Sequence, residues 1–406
     1  MSKLAQSLRD YLSQSQSAQV DDTGDRLLHN LRMTIARNAV AFEWLIKKHC
    51  RKPPKAELQA VLRWALAESF LLHGVPAPSV VNVAVAFVRE NYSSHEASFI
   101  NAFLRNLLRE AGEDGLESLL KNAPPHVQNN LPSDLWSRWC RNFGVEKSMQ
   151  MASLLQRPAQ TVVRVREWPP ASSWTPPEWL RPCPAPEWAS WAHLYEVQDA
   201  PIGAISALMS TGECYIQDPS TLLAPTLLAV QPGEHVADLC CAPGGKSRCI
   251  AEFLRGEGSL WCADVAQDKL PRVRQNLAPF ANFEVHCLNA ATGTLAAEQW
   301  DAILLDVPCS NTGVIRRRPD VRAGFSTAKF KALLQLQAQI LDNCAKAVKA
   351  KGRLVYSTCS IEPEENQMQV ARFLTSHPDW HCPTQRTILP TASHDGCFCA
   401  LLTHAG

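Results

Sequence analysis

His235-Val-Ala-Asp-Leu-Cys-Cys-Ala-Pro-Gly-Gly-Lys-Ser247 decides the fold of the C-terminal half. A short apolar run over 235–240 reads as a strand, and it stops at reactive and polar residues. The chain then turns through Gly244 and Gly245 into a helical stretch over 246–255. Glycines lack side chains, so the backbone there can turn tightly and approach a ligand at the start of a helix. Outward from this segment, 259–264, 283–288, 301–306 and 353–359 read as strands, and 267–277 and 327–349 as helices. Strands alternating with helices predict a doubly wound α/β sheet, whose ligands bind outside the carboxyl ends of the strands. The second strand ends in Asp264, about 20 residues past the glycines, where a carboxylate can accept hydrogen bonds from ribose hydroxyls. The glycines alone would serve any strand-to-helix turn; the carboxylate makes the pattern nucleotide-like. Two rival motifs fail. A phosphate-binding P-loop needs glycine where Cys240 stands, and the dinucleotide fingerprint G-x-G-x-x-G is absent.

Upstream, the periodicity changes. Leu27, Leu28, Leu31, Ile35, Val40, Phe42 and Leu45, then Leu58, Leu62, Ala65, Leu66 and Phe70, recur at helical spacing, with Pro53-Pro54 between the two runs. A helix over 79–90 follows Gly74-Val-Pro-Ala-Pro78, and another begins near Ser94, whose hydroxyl is placed to cap it. Residues 1–122 therefore read as an all-α domain. Residues 123–210 read as a small connecting domain. It holds helices around Leu135 and Lys147, a short strand in Thr161-Val-Val-Arg-Val-Arg166, and eight prolines with five tryptophans between Pro158 and Trp191. Prolines at that density exclude regular structure, and so much aromatic surface calls for burial. Residues 211–406 form the α/β domain.

Composition bounds the function. At roughly 150 residues per domain, 406 residues make two or three domains. With 46% apolar and 19% charged residues, wholesale disorder is excluded. Lys and Arg number 40 against 39 acids, a net charge of +1, so any nucleic-acid footprint must be a local patch. No apolar stretch approaches the roughly 20 residues of a membrane span, and Met1-Ser-Lys-Leu-Ala-Gln-Ser7 has no apolar signal core. Fifteen cysteines without framework spacing read as reduced thiols in a cytoplasmic protein, expected to be monomeric and without an obligate protein partner.

Two of those cysteines stand apart. The fourth strand runs into Asp306-Val-Pro-Cys309-Ser-Asn-Thr-Gly-Val-Ile-Arg-Arg-Arg-Pro-Asp320, and the fifth into Tyr356-Ser-Thr-Cys359-Ser-Ile-Glu-Pro-Glu-Glu-Asn366. A free cysteine is usually a small buried hydrophobe. On neighbouring strand ends beside a nucleoside-type pocket, however, both sulfurs should reach one rim. Zinc is disfavoured: neither cysteine sits in a C-x-x-C pair, and His394, Cys397 and Cys399 lack an obvious fourth ligand, so no metal is expected. Lys246 is a candidate cation for raising the thiolate fraction of a nearby sulfur. From the residues alone, either thiol is able to attack.

These three motifs resemble the Sun/Fmu family of S-adenosylmethionine-dependent RNA cytosine-5 methyltransferases. Tyr215-Ile-Gln-Asp-Pro-Ser220 resembles the segment before that family's core, and Asp395-Gly396 with Phe398 its closing strand. Val75-Pro-Ala-Pro-Ser-Val-Val-Asn82-Val-Ala-Val85 and Phe99-Ile-Asn101-Ala-Phe-Leu-Arg105 resemble a NusB-type helical RNA-binding domain. The combination resembles bacterial members acting on small-subunit ribosomal RNA, and it covers nearly the whole chain. The resemblance implies a Rossmann-like methyltransferase domain, S-adenosylmethionine as cofactor and RNA as partner. It makes Cys359 the nucleophile and Cys309 the residue that assists product release. Cys240, Cys241, Ala242, Pro243, Gly244, Gly245 and Lys246 would line the cofactor, with Asp264 on its ribose and Asp306 on its amino-acid part or the target base.

Carbon 5 of cytosine is a poor nucleophile. Addition of a thiolate to carbon 6 makes it enamine-like and able to take a methyl group, after which a base must remove the carbon-5 proton so that the thiolate can leave. Three departures from the family pattern stand out: Asn289 replaces an aspartate facing the adenine, Val83 a glutamate of the helical domain, and Cys397 an aromatic residue. Asn289 predicts altered cofactor affinity. Arg316, Arg317, Arg318 and Arg322 follow Cys309 closely and read as RNA phosphate contacts; Lys47, Lys48, Arg51, Lys52 and Lys55 form a second basic patch. The same chemistry on tRNA or another RNA is the nearest alternative. A non-catalytic assembly factor on a dead core is a second, opposed by the presence of Cys309, Cys359 and Asp306. A DNA methyltransferase would attack through Pro-Cys and would not need Thr-Cys-Ser.

Overall fold

The computed structural model describes residues 3–14, 26–72, 74–168, 174–201 and 203–405. Pro169 and Pro170 of the proline-rich stretch, residues 15–25 of the helical section and the Met1-Ser2 start lie outside them. The chain divides into two compact units, 1–156 with 319–325, and 157–318 with 326–406.

The first unit is helical: α1 (Lys3–Gln14), α2 (Arg26–Arg37), α3 (Ala39–His49), α4 (Ala56–Phe70), α5 (Ala77–Asn91), α6 (Ser94–Ala111), α7 (Gly115–Leu120), α8 (Pro125–Gln128), α9 (Ser133–Phe143) and α10 (Val145–Gln156). Helix α4 is apolar on most sides and becomes the centre, burying Val61, Leu62, Trp64, Ala65 and Leu66 among Leu31, Phe42, Val81, Ile100 and Leu104. The α6 cap is Ser93 rather than Ser94. Ser93 accepts from Glu96 N at 3.1 Å and its hydroxyl reaches Glu96 Oε2 at 2.8 Å, a capping box written Ser93-Ser-His-Glu96. Val83 packs partly against the core, which is why the position takes an apolar residue.

The second unit holds two sheets. Strands β1 (Val162–Val165), β2 (Leu180–Cys183), β3 (Leu194–Val197) and β4 (Cys214–Ile216) form an antiparallel sheet in the order β2-β3-β1-β4. Helix α11 (Ala204–Ser210) precedes β4. Trp188 and Trp191, half-buried, donate to Pro219 O at 3.2 Å and Thr226 Oγ1 at 3.1 Å, and so seat this sheet on its neighbour. The region read as a separate connecting domain is thus split: its helices join the first unit and its sheet joins the second.

The larger sheet alternates as expected: α12 (Leu223–Leu228), β5 (His235–Asp238), α13 (Gly245–Leu254), β6 (Ser259–Asp264), α14 (Leu270–Leu277), β7 (Phe283–Cys287), β8 (Trp300–Asp306), α15 (Asp320–Gly324, which packs in the first unit), α16 (Thr327–Ala345), β9 (Val348–Thr358), α17 (Gln367–Ser376), β10 (Trp380–Ile388) and β11 (Cys397–His404). Its order is β10-β11-β9-β8-β5-β6-β7. Strands β5 to β9 run parallel, and β11 and β10 are added antiparallel. One face is covered by α16 and α17 and the other by α12, α13 and α14. The connections leave β5 in one direction to β6 and β7 and in the other to β8 and β9. The switch point, and hence the ligand crevice, lies at the carboxyl ends of β5 and β8. Among the described residues no helix is long and apolar enough to cross a membrane.

Candidate active site

An open cleft of about 200 Å³ lies at that switch point. Cys240, Cys241, Ala242, Pro243, Gly245 and Lys246 line it from the β5–α13 loop, Asp306 from β8, and Tyr215, Ile216, Gln217, Asp218 and Thr221 from the other side. Gly244 takes φ +103°, a conformation that favours glycine, and lets the chain enter α13. Asp264 does not line the cleft; it holds the loop. Its two carboxylate oxygens accept from Ala242 N and Ala266 N, each at 2.9 Å. Each oxygen keeps a second lone pair for a ribose hydroxyl. Asn289 is exposed and spends its Oδ1 on Ala291 N at 3.0 Å, capping its own turn.

Asp238 is a residue that the sequence reading passed over. It lines the cleft while almost wholly buried, and burial pushes its carboxyl up to about 7. Its Oδ2 accepts from Ser247 Oγ at 2.6 Å, and its buried Oδ1 has no partner. A buried acceptor without a donor fits a bound ligand carrying N–H or O–H groups. S-adenosylmethionine, with an ammonium group and ribose hydroxyls, fits this donor and acceptor set.

The two sulfurs converge as expected. Asp306 pairs with Ser357 in the β8–β9 register, so both strands end at one level. Cys309 Sγ and Cys359 Sγ then lie 3.3 Å apart, Cys309 buried and Cys359 half-exposed. Gly313 N donates to Cys359 O at 3.0 Å, and Gly396 N to Gly313 O at 2.9 Å. A Cβ at Gly313 would meet Gly396 O at 2.3 Å, so only glycine lets the two loops approach. Behind them lies Glu365, fully buried. It accepts from Ser310 N at 2.8 Å, from Ser310 Oγ and from Gln337 Nε2 at 2.9 Å. Thr358 Oγ1 donates to Asn366 Oδ1 at 2.6 Å, and Asn366 Nδ2 to Ser360 O at 3.0 Å. Glu365 and Asn366 close the second cysteine motif; only the folded chain shows that Glu365 braces the loop of the first while Asn366 braces its own.

Lys246 Nζ sits 2.6 Å from Asp306 Oδ2, and Asp306 Oδ1 accepts from Ser357 Oγ at 3.1 Å. Burial alone would lower the Lys246 ammonium; attraction to Asp306 and their hydrogen bond outweigh it and hold its pKa above the ordinary value. The lysine is therefore a fixed cation, and it feels charge on Cys359. The Cys309 thiol is pushed well above its ordinary value, first by its hydrogen bond to Cys359 and then by burial.

The arginine run does not form the expected RNA-facing cluster. Arg316, 2% exposed, donates to Ala392 O at 3.1 Å and lies 3.8 Å from Asp395. Arg317 bridges Asp395 Oδ2 at 2.6 Å and Asp218 Oδ2 at 2.7 Å. Arg322, 1% exposed, donates to Arg37 O at 2.7 Å, Leu155 O at 2.8 Å and Asn130 O at 3.4 Å within the helical unit. Of the four, only Arg318 is exposed. Internal carboxylates and carbonyls engage the other three guanidinium groups, and Arg316 Nε and Nη2 and Arg322 Nε are buried without a hydrogen-bond partner among the described residues.

Residues 225–402 match the model of the 16S rRNA methyltransferase RsmB/F family, and residues 1–109 that of the NusB family. The ribosomal RNA small subunit methyltransferase B of Enterobacter sp. (strain 638) is 31% identical over 366 residues, covering 87% of this chain and 83% of the relative. The probable ribosomal RNA small subunit methyltransferase B of Bacillus subtilis (strain 168) is 28% identical over 381 residues, covering 90% and 83%. Among solved structures, that of PH0851 superposes with a TM-score of 0.79 at 21% identity over 99% of both chains. A methyltransferase homolog protein from Pyrococcus horikoshii does so with a TM-score of 0.59 at 23% identity, over 69% of this chain and 97% of that one. At such identities the structural likeness shows the fold.

Proposed function

The chain belongs to the ribosomal RNA small subunit methyltransferase B family, and from that premise we propose that it methylates carbon 5 of a cytosine in small-subunit ribosomal RNA through a covalent cysteine adduct. The observation that carries the proposal is the 3.3 Å approach of two thiols on adjacent strand ends. The 240–246 loop, Asp238 and Asp264 would hold S-adenosylmethionine, which would supply an electrophilic methyl group.

The chain's own residues do the rest. Cys359 is the less buried sulfur of the pair and adds to carbon 6 of the pyrimidine, placing electron density on carbon 5. Cys309 is buried and keeps its proton in the resting enzyme, which disfavours it as the attacking thiolate; the family resemblance gives it the release step. Lys246 supplies a fixed positive charge at this rim. Asp306 holds the lysine there. The target base must leave its stack for a thiol to reach carbon 6, which favours a loop or an unpaired nucleotide.

The test is to incubate the protein with total RNA and labelled S-adenosylmethionine and map 5-methylcytosine. Label in small-subunit ribosomal RNA is expected; label confined to tRNA would move the substrate, and none would leave the fold without the activity. Cys359→Ala should abolish transfer. Cys309→Ala should trap a protein–RNA adduct that survives a denaturing gel. Near-normal transfer by Cys359→Ala overturns the role assignment, and normal transfer by both variants overturns the covalent mechanism.

A further inference from the structure

We propose that Asn311 is a positioning residue for the attacking sulfur, an inference that rests on Cys359 being that sulfur. Asn311 lies two residues beyond Cys309, and its side chain bridges the two cysteine loops. Nδ2 donates to Cys309 O at 3.0 Å, and Oδ1 lies 2.8 Å from Cys359 Sγ as an acceptor. The first bond orients the second. With the amide nitrogen on a carbonyl, the oxygen must face the thiol, because the flipped amide would set two oxygens against each other. The bonds therefore run in one direction, from Cys309 S–H to the Cys359 sulfur, and from Cys359 S–H to Asn311 Oδ1. The half-exposed sulfur is held at one point between its neighbour and the amide.

A bland account is available. Asn311 has φ +59°, a conformation that asparagine tolerates, so the residue could be there for the turn alone. Substitution separates the two. Asn311→Gly keeps the left-handed backbone without strain and removes only the amide. Asn311→Asp keeps an acceptor facing Cys359, makes it an anion and loses the donor to Cys309. The other titratable or charged groups around this sulfur are Cys309, Lys246 with its partner Asp306, and Glu365 behind Ser310. All are unchanged in both variants.

The experiment has two arms on the full chain. In the first, iodoacetamide alkylation of the Cys359 peptide is followed by mass spectrometry. Freed of its acceptor, the thiol in Asn311→Gly should alkylate several-fold faster than wild type. In Asn311→Asp it should alkylate several-fold slower, because an anion opposes the thiolate that alkylation needs. In the second arm, kcat for methyl transfer should fall roughly tenfold or more in Asn311→Gly with KM for S-adenosylmethionine unchanged, the mark of a misdirected reacting atom in an intact site. Because a partly unfolded population would itself alkylate faster and lower kcat at constant KM, both rates are referred to the folded fraction, checked by an unchanged melting temperature and unchanged alkylation of the buried Cys344. Unchanged alkylation and transfer in Asn311→Gly, with Cys359→Ala inactive, overturns the positioning role and leaves the nucleophile in place. Persistent transfer by Cys359→Ala overturns the nucleophile assignment and the positioning role with it.

Discussion

Asp238 shows how far a single side chain can depart from what its neighbours in sequence suggest. It ends a strand, where acids commonly face solvent or a ligand, yet it is buried and its carboxyl titrates near 7. An acid whose folded-state pKa lies above its unfolded value of about 3.8 binds its proton more tightly when folded. Its stabilising contribution is complete below about pH 4 and is lost as pH rises toward 7. The ligand-free protein should therefore lose melting temperature between pH 5 and pH 8, and Asp238→Asn should flatten that slope; an identical slope would sink the assignment. Glu365 makes a second residue-scale case. Truncation to Ala leaves the Ser310 N–H and hydroxyl and the Gln337 amide without their acceptor, each costing about 1–3 kcal/mol if it stays buried. Glu365→Ala should lower the denaturant midpoint, whereas Glu365→Gln, which retains one oxygen, should lower it less. Neither residue was assigned a role from sequence, because burial depends on what the sheet brings over it.

At the level of elements, the alternation of strand and helix was legible because each segment carries its own period. Strand β6 falls on the residues expected, and β5, β7 and β8 end within two residues of expectation. Helix α16 stops at Ala345, four residues early, because Val348 already pairs with Trp300 at the start of β9. Local apolar spacing cannot distinguish the end of a helix from the start of a buried strand. The pairing of the small sheet was illegible for a different cause: it is set by contacts across 50 to 90 residues of sequence. Arg164 on β1 makes a bidentate pair with Glu252 on α13, at 2.8 and 2.7 Å, and donates to Gln217 Oε1 at 2.9 Å. Both charged side chains are sealed from water. Removing one partner strands the other charge, so Arg164→Met should cost about 3–5 kcal/mol. The double variant Arg164→Met, Glu252→Leu should recover much of that loss in a denaturant series. If the single variant is silent, the small sheet is not anchored through this pair.

For the molecule as a whole, the neutral charge balance leaves open where RNA phosphates are met. The arginines beside Cys309 were the obvious place, and the folded chain uses most of them internally. Arg322 shows why a charge run misleads: three carbonyls from the ends of helical segments converge on it, and the negative end of a helix dipole is a fitting partner for a guanidinium. Burial, then the nearby Arg37, lowers its pKa to about 9, and a cation so placed cannot reach a phosphate. Arg322→Met should therefore depress thermal stability and leave the salt dependence of RNA binding unchanged. The helical unit offers better candidates. In the patch at the end of α3, Lys47, Lys48 and Lys55 are engaged by Glu43, Glu110 and Glu96 at 2.7 to 2.9 Å. Arg51 and Lys52 are exposed and have no ion-pair partner among the described residues. Each cation that neutralises a phosphate on a single strand contributes about 0.7 to the slope of log K against log salt. The double variant Arg51→Ala, Lys52→Ala should flatten that slope by roughly 1.4 and weaken binding most at low salt, with the fold intact. A slope unchanged in that variant would return the patch to an ordinary solvated helix end and move the search for phosphate contacts to the α/β unit.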